Sequence, residues 1–120
     1  MNTWDVASKW HRLCTEGKNL ECIEELYDKN ISSTEMPGMP RFSVTTGKQS
    51  VWNKNKEWFD NVKELHSSSF TEPIVAGRHF TSKLEFDITF KDRGRQQMEE
   101  IGIWEVKNGK IVSEQFFYMM

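Results

Sequence analysis

Apolar residues recur with a helical period along the first half of the chain and with a period of two along the second, so the pattern predicts helices first and sheet afterwards. Residues 3–15 place Val6, Ala7, Trp10, Leu13 and Cys14 on one face, with Asp5, Lys9 and Arg12 elsewhere, as in an amphipathic helix. Asn2 or Thr3 can cap its start, and Gly17 supplies a stop. Asn19 opens a second, short helix with Leu20, Ile23, Leu26 and Tyr27 inward and a polar end at Asp28-Lys29-Asn30. The two helices form a hairpin. Ile31 to Met36 reads as a short strand, and Pro37-Gly38-Met39-Pro40, unable to continue either regular structure, predicts a mobile Met-bearing loop. Thr46 followed three residues later by Gln49 matches a capping box. Val51, Trp52, Asn55, Trp58, Phe59 and Val62 then trace one side of a third helix, with Asn55 its weak point.

From Lys63 the period changes to two. A strand from about Leu65 to Val75, a turn near Gly77, a long strand from Arg78 to Lys91, a turn at Asp92-Arg93-Gly94 and a terminal hairpin predict four sequential antiparallel strands. In the long strand Phe80, Leu84, Phe86, Ile88 and Phe90 share one side, and Lys83, Glu85 and Asp87 the other. The hairpin is marked by Asn108-Gly109 between two runs rich in Ile, Val, Phe and Trp. In its first run Met98, Glu100, Gly102, Trp104 and Val106 share one side, opposite Gln97, Glu99, Ile101, Ile103 and Glu105. Three helices followed by a meander is the segregated order of an α+β domain, with the helices against one side of a curved, mostly antiparallel sheet.

Composition narrows the function. At 120 residues the chain is read as a single domain, 1–120, with one hydrophobic core. A formal charge of −2 and scattered basic residues, apart from Lys91, Arg93 and Arg95, are a poor match to nucleic acid. No apolar run suits a membrane span or a signal peptide, so a cytoplasmic location is expected. Cys14 and Cys22 have no metal or Cys-x-x-Cys spacing and read as reduced thiols packed as small apolar groups.

Few motifs carry chemistry. Gly47-Lys48-Gln49-Ser50 lacks the earlier glycine and the hydroxyl residue after lysine that a phosphate loop requires, since Phe42 and Gln49 stand there. Ser67-Ser68-Ser69 reads as a polar strand edge. His11, on the polar side of its helix, reads as solvated. His66 is open to a structural or a catalytic reading, and no histidine has metal-ligand spacing. Glu100 is the sharper candidate: a carboxylate facing an apolar enclosure must be paired, hydrogen-bonded or protonated, and burial raises its pKa toward the range useful for acid–base work. A glutamate reaching solvent, or paired with His66 or an arginine, is the competing reading. Glu35 alternates with Ile31 and Ser33 and either faces the same interior or is a plain strand-end charge. Five Trp, eight Phe and six Met suit a core and equally a pocket for a flat, apolar ligand.

Glu35-Met-Pro-Gly-Met-Pro, Glu64-Leu-His66-Ser, Phe86-Asp-Ile-Thr89 and above all Met98 to Tyr118 resemble the SnoaL-like branch of the nuclear transport factor 2-like superfamily, which includes polyketide cyclases and relatives of ketosteroid isomerase. The resemblance spans nearly the whole chain. It implies a cone-shaped α+β barrel with the sheet wrapped around the third helix, a pocket between helices and concave side, and a homodimer formed through the outer side, where Ile101 and Ile103 fall. Glu35, His66 and Glu100 would then approach the pocket as catalytic groups, lined by Trp10, Tyr27, Phe59, Met98, Phe116 and Tyr118. Asp87 falls on the convex side by alternation. The expected partner is a hydrophobic small molecule, with no cofactor, metal, nucleic acid or membrane. Two functions are open: a cofactor-independent isomerase, cyclase or dehydratase acting on a hydrophobic carbonyl compound, or a non-catalytic ligand-binding or dimerisation module.

Overall fold

The structure, a computed structural model, describes residues 1–38 and 43–119. Its elements are α1 (Thr3–Thr15), α2 (Asn19–Leu26), β1 (Tyr27–Thr34), β2 (Val44–Thr46), α3 (Lys48–Asp60), β3 (Val62–Phe70), β4 (Ile74–Ala76), β5 (His79–Phe90), β6 (Gly94–Lys107) and β7 (Lys110–Tyr118). Three helices cover a mostly antiparallel sheet of order β2-β1-β7-β6-β5-β3, with β4 also paired to β5. This is the α+β class that the pattern predicts. A parallel pairing of β1 with β7 sets the first strand beside the last.

Local chemistry explains α1. The Asn2 side chain accepts from the Asp5 amide at 2.8 Å, the Asp5 carboxylate accepts from the Asn2 amide at 3.2 Å, and the predicted apolar face is buried. Gly17, at φ +78, lets the amides of Gly17 and Lys18 close back onto the Cys14 and Leu13 carbonyls. The expected capping box at α3 does not form. Thr46 is held in β2 opposite Ser32, Gly47 takes the cap position at φ +98, and the Gln49 side chain bonds Asn53. The Asn55 amide is satisfied inside the helix by the Val51 carbonyl at 2.8 Å, which lets a polar residue stay on the inner stripe.

Strand boundaries also differ from expectation. Tyr27 ends α2 and begins β1, so Asp28-Lys29-Asn30 belongs to a strand that stops at Thr34. Pairing with β7 overrides the local polarity of that stretch, and a register shift between Tyr27 and Ser32 absorbs the irregularity. The predicted strand 65–75 starts earlier, at Val62, and is interrupted at 71–73. There Pro73 has no amide to give the ladder, and Thr71 turns its carbonyl and hydroxyl to Ser82 and Lys83. Of the Pro-Gly loop, Met39 and Pro40 lie outside the described residues.

The terminal hairpin matches its prediction. Asn108 and Gly109 both have positive φ, +52 and +74, as a two-residue type I′ turn requires. Inward residues of β5 and β6 bury as the alternation predicts, with Phe80 stacked on Trp104 at 5.0 Å and Trp10 of α1 at 4.4 Å from Trp104. Helix α3 touches β2 and β3, the opposite ends of the strand order, so the sheet must curl around it. The two ends do not pair, and the sheet stays open. On the outer face Ile101 and Phe117 are cross-strand neighbours, 49% and 38% exposed, with Ile103 beside them at 40%. No described helix is long and apolar enough to cross a membrane.

Candidate functional site

Register builds the site. On the inner face β6 and β7 pair Trp104 with Glu114, Gly102 with Phe116 and Glu100 with Tyr118, while β5 sets Phe80, Ser82 and Leu84 beside the same three β6 residues. The parallel β1 adds Ser33 next to Glu114, and Glu35 follows one step beyond the strand. Gly102 is required here. A Cβ on it would meet the Trp104 ring at 2.3 Å, so the indole can lie across the strand only because that side chain is missing. The result is a cleft between this face and the helices, walled by Trp10, Trp58, Phe59, Phe70, Phe86 and Phe116. Trp58 meets Phe59, Phe86 and Phe90 edge-on at 5.0 to 5.7 Å, which extends one aromatic wall from α3 to β5.

A string of polar groups crosses the cleft. At its buried end Glu114, 3% exposed, accepts from the Tyr27 hydroxyl, from Ser33 Oγ at 2.7 Å and from Trp104 Nε1 at 3.1 Å. Lys54 Nζ on α3 donates to Ser33 Oγ at 3.0 Å and to Glu35 Oε1 at 3.1 Å. The Tyr118 hydroxyl donates to the other Glu35 oxygen at 3.0 Å. Every carboxylate oxygen in the string therefore has a donor.

Glu100 is different. It lines the cleft beside Tyr118, but among the described residues no hydrogen bond or ion pair reaches its carboxyl. Burial, and then the negative charges of Glu35 and Glu114, push its pKa from near 4.5 up to about 7, with Lys54 opposing. Burial also raises the Glu114 pKa, but its three donors and Lys54 pull it back. The Tyr118 phenol is pushed up to about 12 by burial and by the Glu35 charge, so it stays a donor at neutral pH. A carboxyl that changes form near neutrality can exchange a proton with a molecule bound in the cleft.

The structure brings together Glu35 and Glu100 with all six expected lining residues, Trp10, Tyr27, Phe59, Met98, Phe116 and Tyr118. It does not bring His66 there. Register shifts in β3 between Val62 and Glu64, and again between Leu65 and Ser67, move His66 off its expected side. Its Nε2 meets Thr89 Oγ1 at 2.7 Å and its Nδ1 a Glu64 oxygen at 2.8 Å, on the outer face where Asp87 pairs with Arg95 at 2.8 Å. His11 is also not solvated, since its Nε2 meets the Phe70 carbonyl at 2.9 Å and ties α1 to β3. Sequence reasoning missed Glu114, Ser33 and Lys54 as site groups. Glu114 was within reach, because it alternates with Phe116 and Tyr118. Lys54 was not, since it lies beside Asn55 rather than on the apolar stripe of α3.

A family model for the SnoaL-like domain matches residues 1–118. The chain belongs to the SnoaL-like family. Among solved structures, that of a candidate SnoaL-like polyketide cyclase from Mesorhizobium loti is 34% identical and superposes with a TM-score of 0.91, covering 98% of this chain and 100% of that one. An NTF2-like protein from Burkholderia thailandensis gives 0.82 at 15% identity, covering 99% and 92%. A hypothetical protein from Catenulispora acidiphila with a ketosteroid isomerase-like fold, in complex with trimethylamine, gives 0.73 at 16% identity, covering 96% and 85%. No curated protein matches this SnoaL-like chain.

Proposed function

We propose that this SnoaL-like protein binds a hydrophobic carbonyl compound in the aromatic cleft and moves a proton next to the carbonyl, with Glu100 as general base and acid. The observation that carries the reading is the Glu100 carboxyl, which lines an aromatic-walled cleft with no donor among the described residues and has its pKa raised to about 7 by burial. Its carboxylate takes the α-proton, the C–H electron pair becomes an enolate, and the proton returns at another atom of the same skeleton or accompanies ring closure or loss of water. The Lys54 ammonium, with one N–H beyond those given to Ser33 and Glu35, supplies a hydrogen bond to the enolate oxygen, and the Tyr118 hydroxyl, whose single O–H is given to Glu35, braces that carboxylate beside it. Glu35 is already committed to Lys54 and Tyr118 and positions them. His66, on the outer face, has no part in this scheme.

The test is single-turnover assay of a panel of hydrophobic ketones with wild type, Glu100→Gln and Tyr118→Phe. Loss of turnover in folded Glu100→Gln supports the reading, with a smaller loss in Tyr118→Phe. Binding of the ketones without product from wild type returns the protein to a non-catalytic binding role, which the trimethylamine held by the Catenulispora protein of similar fold also illustrates. The same outer face that exposes Ile101, Ile103 and Phe117 supports a homodimer through the sheet. Cys14 and Cys22, free and in contact, suit a reducing compartment such as the cytoplasm.

A further inference from the structure

Among the described residues, the carboxylates of Glu35, Glu100 and Glu114 and the ammonium of Lys54 interact in one group lining the cleft. That ammonium is committed to Glu35 and Ser33, and the Glu114 corner is closed by neutral donors, so within this group Glu100 is the carboxylate left without a hydrogen bond or ion pair among the described residues. The other described cation lining the cleft, Arg93, has its guanidinium carbon 4.0 Å above the Phe90 ring. The cleft that Glu100 lines is walled by Trp and Phe rings. A carboxylate with no ion pair among the described residues, in a cleft walled by aromatic rings, is an environment that favours an organic ammonium.

We propose that the natural ligand of this cleft is a hydrophobic compound bearing a cationic amine, seated against Glu100 with its apolar part on the aromatic walls. The inference rests on the reading of the cleft as a small-molecule site and adds the charge of the molecule that fills it. It also supplies a link that acid–base chemistry needs. A cation brought against Glu100 stabilises its carboxylate, so the ligand itself generates the form of the side chain that can accept a proton. The other titratable groups facing Glu100 are Glu35 past β1, Lys54 on α3, and Glu114 and Tyr118 on β7. Tyr118 keeps its proton near neutrality, Lys54 and Glu35 are held to each other, and Glu114 is shielded by its donors, so the pH response is assigned to Glu100.

The experiment is a fluorescence and calorimetric titration of the intact protein with benzyltrimethylammonium, compared with the neutral ketone benzylacetone. At about pH 8 the cation is expected to bind roughly tenfold more tightly than the ketone, and at about pH 5.5 the advantage should fall to near parity as Glu100 takes up its proton. Near pH 7, calorimetry in buffers of different ionisation enthalpy should report release of roughly half a proton per cation bound. Glu100→Gln should erase the advantage at about pH 8. Equal or tighter binding of the ketone at that pH, no binding of the cation, or an advantage unchanged between the two pH values in wild type, would overturn the proposal even if the variant failed to fold. Turnover of neutral ketones lost in Glu100→Gln, without any cation preference, would leave the general-base reading standing and remove this one.

Discussion

Two corners of the same cleft hold the same residue type on the same face of neighbouring strands, yet they do different things. At the buried corner Glu114 is enclosed by Tyr27, Ser33 and Trp104, each giving it a hydrogen bond. At the outer corner, four residues along the ladder, Glu100 faces Tyr118 and receives none among the described residues. Burial raises the pKa of both, but only Glu114 has donors that lower it again. The difference teaches that depth does not make a buried carboxylate available for chemistry. What matters is whether the neighbouring strands supply donors, and here the supply stops at Gly102 and Phe116.

Removing Glu114 should break the comparison most severely. Glu114→Ala leaves a buried phenol, hydroxyl and indole N–H without an acceptor, and we expect a loss of about 3 kcal/mol or more in urea unfolding. Next comes Gly102→Ala, whose new methyl would lie 2.3 Å from the Trp104 ring. The ring must leave its seat and its bond to Glu114, at a cost of about 2 kcal/mol and with a change in tryptophan emission.

Glu100→Gln should act in the opposite direction. Because the folded-state pKa of Glu100 lies above its unfolded value, its contribution favours the folded state most below about pH 4.5 and is lost as pH rises through about 7. The full gap corresponds to roughly 3 kcal/mol, and solvent at the cleft mouth reduces it to about 1–2 kcal/mol. The variant should therefore be more stable than wild type at about pH 8 and no more stable at about pH 4, when thermal melts are compared. Ile101→Lys, on the far side of the same strand, sharpens the contrast with the smallest effect. It should change the unfolding free energy of the fold by no more than about 0.5 kcal/mol, while sedimentation should report monomer where wild type forms the proposed homodimer.

The sequence made the inner row of β6 legible because alternation runs along β6 in unbroken register with β5: Trp104 and Val106 are buried, and Glu100 shares their side. The α+β order was legible from the change of period, and the family from the resemblance carried above all by Met98 to Tyr118. His66 was not, because two bulges in β3 change which side a residue takes, and nothing in Glu64-Leu-His66-Ser announces them. The α3 cap was misread because Thr46 and Gln49 match a local motif that pairing of β2 with β1 overrides. Glu114 has its full meaning only once the parallel β1 sets Ser33 beside it, and a pairing between strands so far apart in the chain has no local signature.

The most direct test of the account is a carbon-13 NMR titration of the Glu100 carboxyl, assigned by comparison with Glu100→Gln. The account predicts a midpoint near 7. A midpoint near the ordinary glutamate value of about 4.3 would contradict it, because the side chain would then be a solvated or paired carboxylate with no special part in the cleft.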